Sequence, residues 1–148
     1  MKKLFLLFLV TLTLTACDKE EGETYYDEIG YHGTLTVIPL AGGEPYTDTN
    51  IFFSLAEENN NTLTLYMNAT RFVPQMPRLN MIVPGITYRA TSTIVSLLGD
   101  NIIPWHDNVP MDRYLITNLS GDVNNTHLNI SFTCMGYRVT YIGTEITY

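Results

Sequence analysis

The stretch Leu115-Ile116-Thr117-Asn118-Leu119-Ser120-Gly121-Asp122-Val123-Asn124-Asn125-Thr126-His127-Leu128-Asn129-Ile130-Ser131-Phe132-Thr133-Cys134 decides the fold. Leu128, Ile130, Phe132 and Cys134 alternate with Asn129, Ser131 and Thr133, the period of a strand buried on one face. Asn tolerates positive φ, so Asn124-Asn125 is predicted to form a two-residue turn. Val123 then faces Thr126, followed by Gly121 with Leu128, Leu119 with Ile130, Thr117 with Phe132 and Leu115 with Cys134. This register places nearly every apolar residue on one face, and a buried face is what specifies register.

A second hairpin is predicted around Asn59-Asn60-Asn61. A three-residue loop sets Glu58 opposite Thr62, Leu55 opposite Leu65 and Phe53 opposite Met67. A two-residue loop would scramble the faces, so the pattern selects the odd loop with one left-handed Asn. The same rhythm continues along the chain and predicts strands near 31–38, 51–57, 62–69, 79–83, 86–96, 113–123, 126–134 and 137–142. No stretch carries a helical apolar stripe. About eight short, closely spaced strands predict an all-β domain, a barrel or a sandwich. Polar residues on the outward positions, such as Thr64, Asn68 and Asn129, exclude a membrane-spanning barrel, which needs an apolar outer band.

Two stretches break the rhythm. Residues 71–77 contain Pro74 and Pro77 and cannot form a central strand. Residues 99–112 contain Pro104, Pro110, Trp105 and His106 and are predicted to be a long surface loop, where function often sits.

The N-terminus reads differently. Lys2 and Lys3 precede an apolar run from Leu4 to Leu14, closed by Leu14-Thr15-Ala16-Cys17. The run falls short of the roughly 20 apolar residues of a spanning helix. The pattern is that of an export signal, and residues 1–16 look like a bacterial lipoprotein signal peptide with Cys17 as the lipidated new N-terminus. The alternative is cleavage without lipid, against which Cys17 argues by its position. Residues 17–28 follow as an acidic tether that can bury nothing. Its Lys19-Glu20-Glu21 also resembles the export signal of surface lipoproteins in Bacteroidetes, a reading compatible with a plain spacer. Residues 29–148 are assigned to the β domain, a length that suits one core.

Removing residues 1–16 takes away Lys2 and Lys3 and no acid, so the net charge moves from −7 to −9. Such a chain is not drawn to nucleic-acid phosphates or anionic membranes by its field. With Cys17 lipidated, Cys134 has no intramolecular partner, and no disulfide is expected.

The order of short motifs then becomes informative. Gly33-Thr34-Leu35-Thr36-Val37 is followed by Thr64-Leu65-Tyr66-Met67-Asn68, then Phe72, Met76-Pro77, Ile82, Pro84-Gly85-Ile86, Leu119-Ser120-Gly121 and Leu128-Asn129-Ile130. Over residues 31–143 this order resembles the calycin-like β-barrel lipoproteins of Bacteroidetes. The resemblance implies an up-and-down antiparallel barrel of about eight strands, exported and lipid-anchored at the outer membrane. Other calycins, lipocalins among them, hold small ligands inside the barrel. An eight-stranded barrel is either filled by its own side chains or holds one small ligand.

The expected function is therefore a barrel binding a small or apolar ligand, with Phe53, Leu65, Phe132 and Tyr141 as cavity walls and Trp105 and His106 at the rim. The competing expectation is a packed barrel that recognises a protein or glycan through its loops. The two differ in one observable, a cavity. Trp105-His106-Asp107 reads more simply as an ordinary loop than as a contact site. His32, His106 and His127 match no compact metal spacing, so no metal and no cofactor is expected. Cys134 lies on an apolar face and reads as an inert buried thiol. Glu57-Glu58 flank a turn and read as solvated charges. No nucleophile elbow or phosphate loop is present, and no enzymatic activity is predicted.

Overall fold

The computed structural model describes residues 28–59 and 61–147. The leader, Cys17, the tether as far as Asp27 and the tip of the Asn59–Asn61 loop lie outside the described residues. Eight antiparallel strands close into an up-and-down barrel in the order β1 (Ile29–Pro39), β2 (Tyr46–Asn59), β3 (Thr62–Thr70), β4 (Leu79–Ala90), β5 (Ile94–Gly99), β8 (Ile116–Asn124), β9 (His127–Cys134) and β10 (Tyr137–Glu145). β10 returns to pair with β1 along nine residues, from Tyr31↔Glu145 to Pro39↔Tyr137. Between β5 and β8 lies a small ribbon, β6 (Trp105–His106) and β7 (Val109–Pro110). Closure removes both sheet edges, the part of a sheet that otherwise invites aggregation.

The β2–β3 hairpin keeps the register read from its facing pattern, with Phe53↔Met67 and Leu55↔Leu65. Near the turn the pairing shifts, so Asn59 rather than Glu58 meets Thr62. Glu57 and Glu58 are not simply solvated. Glu57 accepts a 2.7 Å hydrogen bond from the Tyr88 hydroxyl, and Glu58 accepts one of 3.0 Å from the Gly85 amide. Thr64, expected on the solvent face, is covered at 6 % exposure.

The β8–β9 hairpin corrects the sequence reading twice. The turn is Asn125-Thr126, not Asn124-Asn125, and the pairs are Val123↔Leu128 and Gly121↔Ile130. Asn125 takes φ 63° as the first turn residue. A slip of two residues leaves every side chain on its predicted face, which is why the facing pattern could not detect it. The second correction is a bulge at Asn118, with φ 52°. The extra residue changes the phase of the strand, so Ile116 faces the core while Leu115 is exposed.

Pro84-Gly85 does not end a strand as predicted. β4 runs through it, and the pairing jumps from Leu65↔Val83 to Leu63↔Ile86. Gly85 supplies the positive φ of 74° that this bulge needs, and Pro84 is tolerated because a bulge spares its missing donor. The true turn lies at Thr91–Thr93, inside the predicted 86–96 strand. Thr91 stops the strand there, its hydroxyl accepting from the Thr93 and Ile94 amides.

Residues 100–106 do more than form a surface loop. Ile102 exchanges both backbone hydrogen bonds with Ile116, at 2.9 and 2.8 Å, and Trp105 pairs with Ile82 on β4. The segment therefore rebuilds the wall between β8 and the lower half of β4, where β5 has ended. Residues 71–78 cap the same end of the barrel. They insert Phe72, 1 % exposed, edge-on to Phe132 at 6.3 Å.

The inward positions fill the barrel. Tyr31, Leu35, Phe53, Leu55, Leu65, Phe72, Phe132 and Tyr141 leave at most 1 % of their surface open. Phe53 stacks on Tyr141 at 3.9 Å between centroids, 13° from parallel. The Tyr141 hydroxyl donates to the Ile51 carbonyl at 2.9 Å. This stack needs Gly143, because a Cβ there would sit 2.6 Å from the Tyr141 hydroxyl oxygen.

Buried phenols make the barrel sensitive to base. Burial first, then Glu145 and Tyr141, pushes Tyr31 well above the ordinary tyrosine value, and burial does the same to Tyr141. Raised folded-state values mean that their contribution is fully present below about pH 10 and is lost as pH climbs above it. Each phenol kept protonated only in the folded state removes at most about 1.4 kcal/mol of stability per pH unit. Chemical denaturation between pH 8 and 11.5 should show a midpoint that begins to fall near pH 9, where the buried Cys134 thiol first counts, and falls more steeply beyond about pH 10. The double variant Tyr31→Phe/Tyr141→Phe should have a shallower fall.

Candidate functional site

The topology gives the barrel two unlike ends. At one end lie Ile29, where the chain enters, and the β2–β3, β4–β5 and β8–β9 turns. The opposite end carries the connections 40–45, 71–78, 100–115 and 135–136. Long loops on a rigid scaffold are the usual place for recognition.

Most of the large apolar side chains left exposed among the described residues gather at this loop-bearing end. They are Ile38, Leu40, Ile103, Trp105, Val109, Leu115 and Met135, between 37 and 57 % exposed. Register explains why they adjoin. The Leu40 amide donates to the Gly136 carbonyl at 3.0 Å, which brings Leu40 beside the Met135 turn. Ile116 pairs with Cys134, placing Leu115 next to Met135. The Ile102–Ile116 bridge in turn sets Ile103 beside Leu115. Leu40, Met135, Leu115 and Ile103 thus form an apolar rim, with Ile38, Trp105 and Val109 exposed at the same end of the barrel, and exposed apolar patches of this kind mark interaction sites.

The rim stands on braced loops. Asp107 and Asn108 both adopt positive φ, 52° and 64°, in the two-residue turn joining β6 to β7. Only Asn, Asp and Gly enter that region readily, and Asp-Asn here is a hairpin signal that the sequence reading passed over. His106 Nδ1 donates to the Asn80 carbonyl at 2.9 Å, and its Nε2 lies 3.4 Å from the Asp107 carboxylate. His106 is thus a brace between ribbon and β4, with Trp105 39 % exposed beside it. The 71–78 loop is held by Arg71, which donates to the Tyr46 hydroxyl at 2.9 Å and to the Pro74 carbonyl at 3.1 Å. Arg78 bridges Asp48 at 2.8 Å and also reaches the Ala69 carbonyl.

The remaining sequence candidates separate into core and surface. Phe53, Leu65, Phe132 and Tyr141 come together, but as the packed lumen rather than as walls around open space. Cys134 is buried, its Sγ donating to the Tyr114 carbonyl at 3.3 Å, and burial pushes its thiol up to about 12. A thiol so held gives no thiolate at neutral pH. His32 and His127 flank Thr144 on the outer wall, two strands apart, through His32↔Thr144 and Thr144↔His127. His106 lies at the other end of the barrel.

Two depressions mark the outer wall. One, of about 650 Å³, spans Gly85, Thr87, Leu98 and the Gly99–Asp100 corner beside the Asn118 bulge. The other, of about 490 Å³, lies over β1, β2 and β3 and is walled by Phe52 and Tyr66. The sequence matches no protein-family model, and no curated protein is similar to it, so the fold and its surface carry the functional reading.

Proposed function

We propose that the chain is an exported lipoprotein of the calycin-like type, anchored through Cys17, whose packed barrel is a module for binding a protein or glycan partner. The observation that supports this over a ligand carried in the lumen is the filled interior, with Phe53 stacked on Tyr141 and Phe72 edge-on to Phe132. A binding pocket for a small molecule commonly measures roughly 300 Å³ or more, and side chains with at most 1 % of their surface open leave no such space among them. Recognition then falls to the surface. The described chain enters the barrel at Ile29, so the attachment point and the apolar rim lie at opposite ends of the barrel. Two acyl chains on the cysteine would hold stably where one is marginal.

Three measurements test this reading. Mass spectrometry of the mature N-terminus should find a diacylated or triacylated Cys17, and an unmodified residue or cleavage elsewhere removes the anchor. Protease treatment of intact cells should degrade the barrel's loops if the protein is displayed, and alanines at Lys19, Glu20 and Glu21 should then protect it. The double variant Trp105→Ser/Leu115→Ser should keep its stability within about 1 kcal/mol, since both residues are half-exposed. It should lose the partner that cross-links to the native protein on cells. An unchanged cross-linking pattern, or an apolar small molecule retained by the purified native protein, overturns the proposal.

A further inference from the structure

The groove over β1, β2 and β3 is built from outward residues on neighbouring strands. Gly30 pairs with Ser54 and Ser54 with Tyr66, so two small residues form a low floor beside the tyrosine. Phe52, 45 % exposed, and Tyr66, 36 % exposed, stand as walls above this floor. Phe52 is held from behind by His32, whose ring lies 4.8 Å away and tilted, and whose Nε2 is 3.0 Å from the Asn50 amide oxygen. Ile146 closes one side, its amide donating to the Gly30 carbonyl at 2.9 Å.

The polar groups of the groove are acidic or neutral. Glu28 lies at its edge, and its carboxylate accepts a hydrogen bond from the Ser54 hydroxyl. One accepted bond leaves a carboxylate further lone pairs for a donor. Asn68 adds an amide, and no Lys, Arg or His is among the residues that line the groove. The field is negative here as well. Burial, Glu28 and Glu58 together raise the Tyr66 phenol above its ordinary value.

Two aromatic side chains, a carboxylate and a low floor suit a flat or slender cation. Aromatic rings attract a cation over the face, and Lys and Arg also carry an alkyl stem that packs on apolar surface. The geometry points to this groove as a docking site for a lysine or arginine side chain of a basic partner peptide. The site lies on the barrel wall toward the chain's entry end, apart from the apolar rim, and does not rest on the proposed function of that rim.

The full chain in a polyoxyethylene detergent, which carries neither sugar nor charge, can be titrated by NMR with N-acetyl-lysine methylamide. The amides of Gly30, Phe52, Ser54 and Tyr66 should shift in a saturable way, and the arginine analogue should act alike. The norleucine analogue, which lacks the charge, should bind about tenfold more weakly or not at all. Glu28→Gln should weaken lysine binding about three- to tenfold. Phe52→Ala and Tyr66→Ala should abolish it while amides on β8 and β9 keep their positions, because both rings stand outside the core. Equal response to norleucine would mean an apolar trough with no selectivity for charge. Response to methyl glucoside but to neither basic analogue would make the groove a glycan site. Absence of saturable shifts with both basic analogues overturns the inference outright.

Discussion

Ile130→Asp should unfold the barrel at neutral pH. Ile130 is fully buried on β9, opposite Gly121 and Tyr141, with Leu128 and Phe132 on the same face. Losing the aliphatic side chain from the core costs about 2 to 3 kcal/mol. The new carboxyl cannot remain charged there and would be protonated, which at pH 7 costs about 4 kcal/mol more for a group of ordinary pKa near 4. The sum approaches the whole stability of a small domain, which is roughly 5 to 15 kcal/mol. Because the folded-state pKa is raised, the penalty should ease as pH falls toward about 4. The contrasting variant is Asn129→Asp, one residue away on the exposed face. It faces Asp122 on β8 and Ile142 on β10, and the new like-charge pair with Asp122 at the surface costs at most about 1 kcal/mol. Urea denaturation of both variants at pH 7 and pH 4.5 is the measurement. Equal losses at the two positions would mean that the alternation along β9 does not set inside from outside.

Gly33→Ala should open the seam that closes the barrel. A Cβ at Gly33 would lie 2.1 Å from the Ile142 carbonyl oxygen and 2.5 Å from Gly143 Cα, both in the backbone of β10. Backbone atoms in a paired strand cannot step aside as the end of a side chain can, so β1 and β10 must separate locally. The Phe53–Tyr141 stack sits directly beside this contact, since Tyr141 packs over Gly143. A loss of about 3 kcal/mol or more is expected, in the range of a severe packing error. Gly30→Ala on the same strand is the control. Its Cβ would meet Ile146 Cδ1 at 3.6 Å, an ordinary contact, and the lower entropy of the unfolded chain should leave it neutral or slightly more stable. Hydrogen exchange along Leu35↔Tyr141 and Val37↔Val139 should accelerate in Gly33→Ala alone. If the two alanine variants prove equally stable, the close approach of β1 to β10 is not needed for closure.

These expectations separate what local chemistry decides from what closure decides. The all-β character, the Phe53↔Met67 register and the inward face of β9 were legible in the sequence. Each follows from a period-two alternation that only one pairing satisfies, and neighbours in sequence are enough to express it. Alternation is blind to a slip of two residues, so the Asn125-Thr126 turn was misplaced. It is blind also to bulges, so Leu115 was assigned to the core in place of Ile116, and β4 was cut at Pro84-Gly85. Among the candidate site residues, Trp105 and His106 were found by composition, but the brace from His106 to Asn80 was not. The apolar rim was invisible because its members lie on segments far apart in sequence, and the Phe52–Tyr66 groove because its floor and side need Gly30 of β1 and Ile146 laid beside the β2–β3 hairpin.

The sequence by itself determined the all-β character, most of the strands with their inner faces, and the pairing of β2 with β3. Those depend on φ preferences and on the burial of alternate side chains, both properties of a few adjacent residues. The tertiary structure decided whether the barrel is full or hollow, and which surface is left for a partner. The lumen is shared by eight strands, so its free space is a small difference between the volume they enclose and the volume of side chains from all of them. Phe72, contributed by a capping loop, and Gly33, where a Cβ would sit 2.1 Å from a β10 carbonyl oxygen, enter that balance only when the sheet has closed.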